Sequence, residues 1–339
     1  MNILNQAIEQ DYALYHGDSC EITKGLPDNS IHFSIFSPPF SGLYIYSDSA
    51  NDVGNSVNDE EFFTHFDFLI PELLRVTIPG RLCAVHCKQL VNYKGRDGAA
   101  GLRDFRGEII RHFSDAGWQY HSEVCIWKDP VIEMQRTKAH GLLYKQLRAD
   151  SSFSRQGLPE YLIIFRKWPQ SEAEELLVEP VTHTKENFLL DTWQRYASPV
   201  WFDIRQTYVL NIEQARESQD EKHICPLQLD VIERALELWT NPGDTVLSPF
   251  AGIGSEGHMS LKMNRKFVGI ELKESYFQVA KRNLEKATMA KNQITLFDGL
   301  FEDSEQETGE IATLPETGHE DSRILPPLNG SREFHLLKQ

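Results

Sequence analysis

The feature that most constrains this fold is an alternation of short apolar runs with amphipathic ones, present in two separate stretches of the chain. Near the C-terminus, DTVLSPF (244–250) is a β-rich run entering a glycine loop, GSEGHMSLKMN reads as a helix, and RKFVGIEL (265–272) as a second buried strand. Lys273 to about Met289 reads as another helix, with Tyr276, Val279, Ala280 and Leu284 on one face. The N-terminal stretch offers YALYHGD, IHFSIFSPPF, RLCAVHC, WQYHSEVCIW and EYLIIFRKW as strands. CEITKGL and 102–116 read as helices there, and 59–77 as one long apolar helix broken by Pro79-Gly80. Two strands are too few for a stable sheet, so the two stretches are expected to combine. The prediction is one α/β domain: a doubly wound, mostly parallel sheet of seven strands assembled from both ends of the chain.

The organisation follows. Residues 1–167 and 222–290 supply the two halves of the sheet domain, and 168–221, or a stretch beginning near 129, is an inserted module. Residues 291–339 carry ten acids and four bases, show little periodicity, and read as a mobile acidic tail. No apolar run approaches the ~20 residues of a membrane span. The start MNILNQAIEQDY lacks the basic and apolar regions of a secretory signal, so a cytoplasmic protein is expected. Five scattered cysteines imply reduced thiols. Cys83, His86 and Cys87 sit close together, but RLCAVHC reads as a buried strand with no second ligand pair, so no metal site is expected.

Gly252, Gly254 and Gly257 form G-x-G-x-x-G between a strand and a helix. Glycines there let backbone approach a ligand, and the helix N-terminus offers free N–H groups to an anion. Glu271 ends the next strand, where a carboxylate can accept two ribose hydroxyls. The set fits an adenosine-containing cofactor, and by itself also fits a nicotinamide enzyme. Pro249-Phe250, just before the glycines, is the detail that discriminates.

Ser37-Pro38-Pro39-Phe40 closes a buried strand. Two prolines fix extended backbone and remove two N–H donors, so nearby carbonyls can face outward as acceptors. A serine hydroxyl and a proline carbonyl together could hold an aromatic NH2 group, with Phe40 as a stacking surface. Alone, this tetrapeptide is a turn that ends a strand. At the carboxyl edge of an α/β sheet, where ligands bind, it becomes a candidate site. His86, His112 and His121 suggest no nucleophile–base constellation in the sequence.

SPPF and SPFAGIGS together resemble the signatures of the amino-methyltransferase family, which methylates cytosine N4 or adenine N6 of DNA. The likeness covers roughly residues 11–290, in the order catalytic motif, insertion, cofactor loop, the beta arrangement of the family. Ser248 stands where the family commonly has aspartate, and isoleucine follows His223 where a proline is usual. The resemblance implies S-adenosylmethionine as cofactor. It implies that Asp18 lies beside the adenine, that Pro226 belongs to the segment closing the pocket, and that Pro249 and Phe250 line it. Gly252, Gly254 and Ser255 would cradle the methionine part, and Glu271 the ribose. Serine at the first motif position is more typical of cytosine N4 enzymes. Adenine N6 of DNA, and RNA or protein amides, are the alternatives. Double-stranded DNA is the implied partner, with the base flipped out to be reached. A homodimer is implied by the resemblance alone.

The charge sits awkwardly with DNA. The chain carries a net −16. Segment 88–111 runs the other way, with Lys88, Lys94, Arg96, Arg103, Arg106 and Arg111, and is equally readable as a phosphate-binding or a solvated surface. The polar loop 41–58 either closes over a base or is a plain surface loop. Part of 129–221 is expected to recognise the target.

Overall fold

Ile31–Phe36 shows why the sheet forms. Every residue but His32 is buried, on both faces of the pleat, as a central parallel strand requires. Burying each of Phe33, Ile35 and Phe36 stabilises the fold by about 1.5–3 kcal/mol. The computed structural model describes residues 2–39, 59–92, 94–137, 140–210 and 226–306.

The strands are β1 (Ile3–Ile8), β2 (Tyr12–Gly17), β3 (Ile31–Phe36), β4 (Thr77–Lys88), β5 (Leu90–Asn92), β6 (Gly101–Arg103), β7 (Gln119–Ile126), β8 (Glu160–Arg166), β9 (Val200–Trp201), β10 (Thr245–Ser248) and β11 (Lys266–Glu271). Nine of them form one sheet in the order β1-β2-β11-β10-β3-β4-β8-β7-β9. From β2 to β4 every neighbouring pair is parallel. β8 runs antiparallel to β4 and to β7. All seven expected strands form. β1 and the short β9 extend the sheet at its two edges, and β5 pairs with β6 in a separate hairpin.

Period-two alternation sorts the core into two layers. Leu14, Phe33, Ile35, Ala84, Leu162, Ile164 and Val246 face one side, with the helices Leu229–Trp239, Ser255–Lys262 and Glu274–Gln306 contributing Ile232, Met259 and Phe277. Phe36, Cys83, Val85, Cys87, Ile163, Phe165 and Leu247 face the other, against Phe62, Phe66, Leu73, Ile109 and Phe113. The two cysteines of RLCAVHC therefore pack as small apolar residues on one face, while His86 lies between them in sequence and alternates to the opposite face.

Three expectations are corrected. The 59–77 helix is two helices, Asp59–Phe66 and Ile70–Val76, the second begun by Pro71 in its first turn, where a missing N–H does no harm. Pro79-Gly80 does not precede β4 but lies within it. The register slips between Ile31 and Phe33, and Gly80 takes φ +83°, so an irregularity absorbs both residues. The last helix does not stop near Met289 but extends to Gln306, with no proline anywhere in its length. Residues 307–339 lie outside the described residues. Among the described residues, no helix is long and apolar enough to cross a membrane.

Candidate active site

Because β2, β11, β10, β3 and β4 are parallel neighbours, their carboxyl ends share one edge of the sheet. Along that edge stand Asp18, Glu271, the 249–255 loop, Ser37 and His86, in that order. The predicted cofactor and catalytic residues are thus brought side by side, with Phe40 lying outside the described residues.

The glycine loop is held by backbone contacts. Ala251 N–H donates to Ile270 C=O at 2.8 Å, stitching the loop to β11. Gly254 has φ +86°, and a Cβ there would come within 3.2 Å of the Ala280 backbone, so conformation and close packing both call for glycine. Gly252 has φ +54°, yet a Cβ on it would meet nothing within 4 Å. The Glu271 carboxylate accepts from Gly252 N–H at 2.8 Å and from Lys273 N–H at 2.9 Å. Asn283 Nδ2 donates to Ile253 C=O at 2.8 Å.

Neighbouring groups complete this half. Asp18 caps the short helix Ser19–Thr23, accepting from Glu21 N–H at 3.0 Å. Ser19 Oγ donates to Pro249 C=O, tying the end of β2 to the loop after β10. His16 bonds Leu272 C=O at 3.0 Å and Glu274 at 2.6 Å, steadying the turn beyond Glu271. Phe250 is partly buried, its ring packed on Phe36 at 5.7 Å and Phe66 at 6.2 Å. Pro226 is half-buried and leads into the helix capped by Gln228. Glu256, in the first turn after the loop, is fully enclosed; burial pushes its carboxyl up to about 8, with the Glu271 charge a further cause.

The residues here suit an adenosine-bearing methyl donor. Space is open at Gly252, and the buried Ser248 and Ser255 hydroxyls have no hydrogen-bond partner among the described residues. An orphaned hydroxyl at a helix N-terminus and a carboxylate at the neighbouring strand end match an acidic head group and a ribose diol respectively.

The other half is held by side chains. Pro38 is buried, while Ser37 and Pro39 are half-buried. Ser37 Oγ lies 2.7 Å from His86 Nδ1, one register step beyond the Phe36–Val85 pair. His86 Nε2 lies 3.1 Å from Glu160 Oε2, which also receives Lys128 Nζ at 2.6 Å and Gln228 Nε2 at 3.4 Å. Burial alone would raise the Glu160 carboxyl; its hydrogen bond and charge interaction with His86, and the Lys128 ammonium, outweigh that and hold it well below the usual carboxylate range. The sequence suggests no serine–histidine–acid chain, and the structure corrects this. The available signal was parity: Ser37 follows Phe33 and Ile35, His86 follows Ala84, and Glu160 precedes Leu162 and Ile164, all on one face of the sheet.

Other basic candidates are engaged locally. Arg106 pairs with Glu123 at 3.2 Å and covers the Tyr161 ring, while Arg111 pairs with Glu108. In the 129–221 stretch, Trp201 is buried in the core, whereas Trp193 is exposed.

A family described as DNA methylase matches residues 31–282. The type II methyltransferase M.BglI of Bacillus subtilis is 29% identical over 188 residues, covering 55% of this chain and 45% of that protein. M.BglII of the same species is 23% identical over 274 residues, covering 79% and 67%. Among solved structures, a DNA modification methylase of Thermus thermophilus in complex with S-adenosyl-L-methionine has TM-score 0.57 at 20% identity, covering 81% of this chain and 95% of that one. The cytosine-N4-specific PvuII DNA methyltransferase has TM-score 0.57 at 17% identity, covering 86% and 96%. At those identities the structures show a shared fold. The family match spans most of the chain, and the protein belongs to the N6/N4 DNA methylase family.

Proposed function

We propose that the protein is an S-adenosylmethionine-dependent DNA methyltransferase acting on the exocyclic amine of a flipped base, with cytosine N4 the preferred target. The observation that carries this is the adjacency, on one sheet edge, of Ser37-Pro38-Pro39 after β3 and the 249–255 loop after β10. The family is S-adenosylmethionine-dependent. When bound, the cofactor supplies an electrophilic methyl group on a cationic sulfur.

This chain's own residues would position the reactants. Glu271 binds the ribose, Gly252, Gly254 and Ser255 hold the methionine end, Asp18 stands near the adenine, and Pro226, Pro249 and Phe250 wall the pocket. Ser37 Oγ and the Pro38 carbonyl accept the two N–H bonds of the target amine, and Phe40 stacks on the ring. Two acceptors placed off the ring plane favour a pyramidal nitrogen, which localises its lone pair. No covalent enzyme intermediate is needed, and catalysis is by orientation and electrostatics.

Serine at the first motif position supports cytosine. The adenine alternative rests on an observation of its own, since the DNA adenine methyltransferase YhdJ of Escherichia coli K12 is 30% identical over 95 residues, covering 28% of this chain and 30% of that protein. RNA and protein amides have no support from the family match. The test is to incubate the protein with unmethylated duplex DNA and S-adenosylmethionine, digest to nucleosides and identify them by mass. N4-methylcytosine supports the full reading. N6-methyladenine keeps the mechanism and overturns the base. Absence of both, with cofactor binding shown by thermal shift, overturns DNA as substrate.

A further inference from the structure

The geometry points to His86 as a positioning residue for the methylation step: it fixes Ser37 as a hydrogen-bond acceptor and, through Ser37, receives the proton that the amine must lose. The inference rests on the function proposed above and assigns a task to three residues outside both sequence motifs.

Glu160 accepts from Lys128 at 2.6 Å and from Gln228 at 3.4 Å, and as a carboxylate it is acceptor-only. His86 Nε2, 3.1 Å away, must therefore carry the hydrogen of that contact. In a neutral ring Nδ1 is then an acceptor, so the Ser37 hydroxyl, 2.7 Å away, donates to it. The hydrogen of Ser37 points inward and its lone pairs are left for an incoming N–H. With the bond reversed, Nδ1–H would occupy one lone pair of Ser37 Oγ and the hydroxyl hydrogen would be turned toward the incoming amine.

A neutral NH2 nitrogen that forms a new N–C bond with its lone pair carries one proton too many. As that N–H bond breaks, its electron pair returns to nitrogen and the proton passes to Ser37 Oγ. The Ser37 hydroxyl proton passes at the same time to His86 Nδ1. His86 becomes an imidazolium between Ser37 and the Glu160 carboxylate, whose Oε2 also receives Lys128 Nζ. Ser37 ends the step as a neutral hydroxyl. The proton then leaves by the same path through half-buried Ser37 once product departs. A serine hydroxyl alone is a poor base, and the relay supplies the basicity it lacks.

A merely structural histidine would share these contacts, so the test must separate the two roles. In ¹⁵N-histidine-labelled wild-type protein without cofactor, at neutral pH, His86 should show the Nε2–H tautomer with unprotonated Nδ1; the opposite tautomer overturns the inference whatever any variant does. His86→Asn can still accept from Ser37 but cannot take up a proton. It should bind S-adenosylmethionine and duplex DNA as wild type does, lose about 10²–10⁴-fold in kcat, and lose the acidic limb of the wild-type pH–kcat profile. Equal kcat, or an unchanged acidic limb, overturns the relay while leaving DNA methylation intact. A wild-type enzyme that methylates no base of DNA defeats the underlying function instead, and the wild-type arm alone reveals it.

Discussion

The two halves of the candidate site are built by different means. Around β10 and β11 the site is made of backbone: left-handed glycines, a carbonyl bond from Ala251 to Ile270, and N–H groups converging on Glu271. Around β3 and β4 it is made of side chains, Ser37, His86, Glu160 and Lys128, drawn from β4, β8 and the segments that follow β3 and β7. A backbone-built cradle depends on conformation, so it tolerates little change of residue size. A side-chain chain depends on protonation and polarity, so it can fail with the fold intact.

The strongest test of that contrast is Ser37→Ala. Removing one acceptor should lower kcat by about 10²–10³-fold with cofactor affinity and melting temperature unchanged; a parallel fall in stability would erase the distinction. In the backbone half, Gly254→Ala imposes a left-handed conformation and a 3.2 Å approach to the Ala280 backbone. It should destabilise by about 1–3 kcal/mol, seen as a lower denaturant midpoint, and weaken cofactor binding together with stability.

Glu256 sharpens the comparison through pH. In the folded chain burial holds its carboxyl protonated up to about 8, whereas an unfolded glutamate ionises near about 4.3. Between those values the folded state binds the extra proton, so stability falls as pH rises, by roughly 1.4 kcal/mol per pH unit. Above the folded value the loss levels off. Glu256→Gln should flatten the slope in urea titrations across this window, and an unchanged slope would place the responsible group elsewhere. The smallest expected effect belongs to Gly252→Ala. Although its Cβ would meet open space, alanine must hold the left-handed φ of +54° and should cost about 1–2 kcal/mol of folding stability, and it should weaken S-adenosylmethionine binding measured by calorimetry. Unweakened binding would remove Gly252 from the cradle.

The same contrast explains what was legible in the sequence. The glycine spacing, Glu271 and the two prolines after Ser37 are local signals, because backbone geometry is dictated by neighbours in the chain. The seven strands were legible because each is a short run of apolar, often β-branched or aromatic residues. β9 was not, since Val200–Trp201 is too short to show a period, and Ile3–Ile8 at the opposite edge alternates only weakly, with Leu4 and Ile8 exposed. The break between Phe66 and Ile70 lay in Pro71, whose place in a first turn resembles the interior of a longer helix until the dihedrals are seen. His86 and Glu160 escaped because their partnership is a matter of register between strands far apart in sequence. A histidine between two cysteines drew attention to metal instead, although the pleat turns it to the opposite face.

One consequence of the strand order concerns how the molecule comes into being. β10 and β11, from residues 245–271, lie between β2 and β3, which belong to the first 36 residues. Until the later segment is synthesised, β2 and β3 each present an unpaired inner edge, and one of the two hydrophobic layers lacks the helices Ser255–Lys262 and Glu274–Gln306. A nascent chain must therefore hold its first strands apart while about two hundred residues emerge, at a synthesis rate of about 5–20 residues per second. Pairing of this kind is slow because the ends to be joined are remote, and exposed strand edges invite association with other chains. A ribosome-stalled or truncated chain that stops before β10 would thus leave the centre of its sheet open and so be a natural client for chaperones.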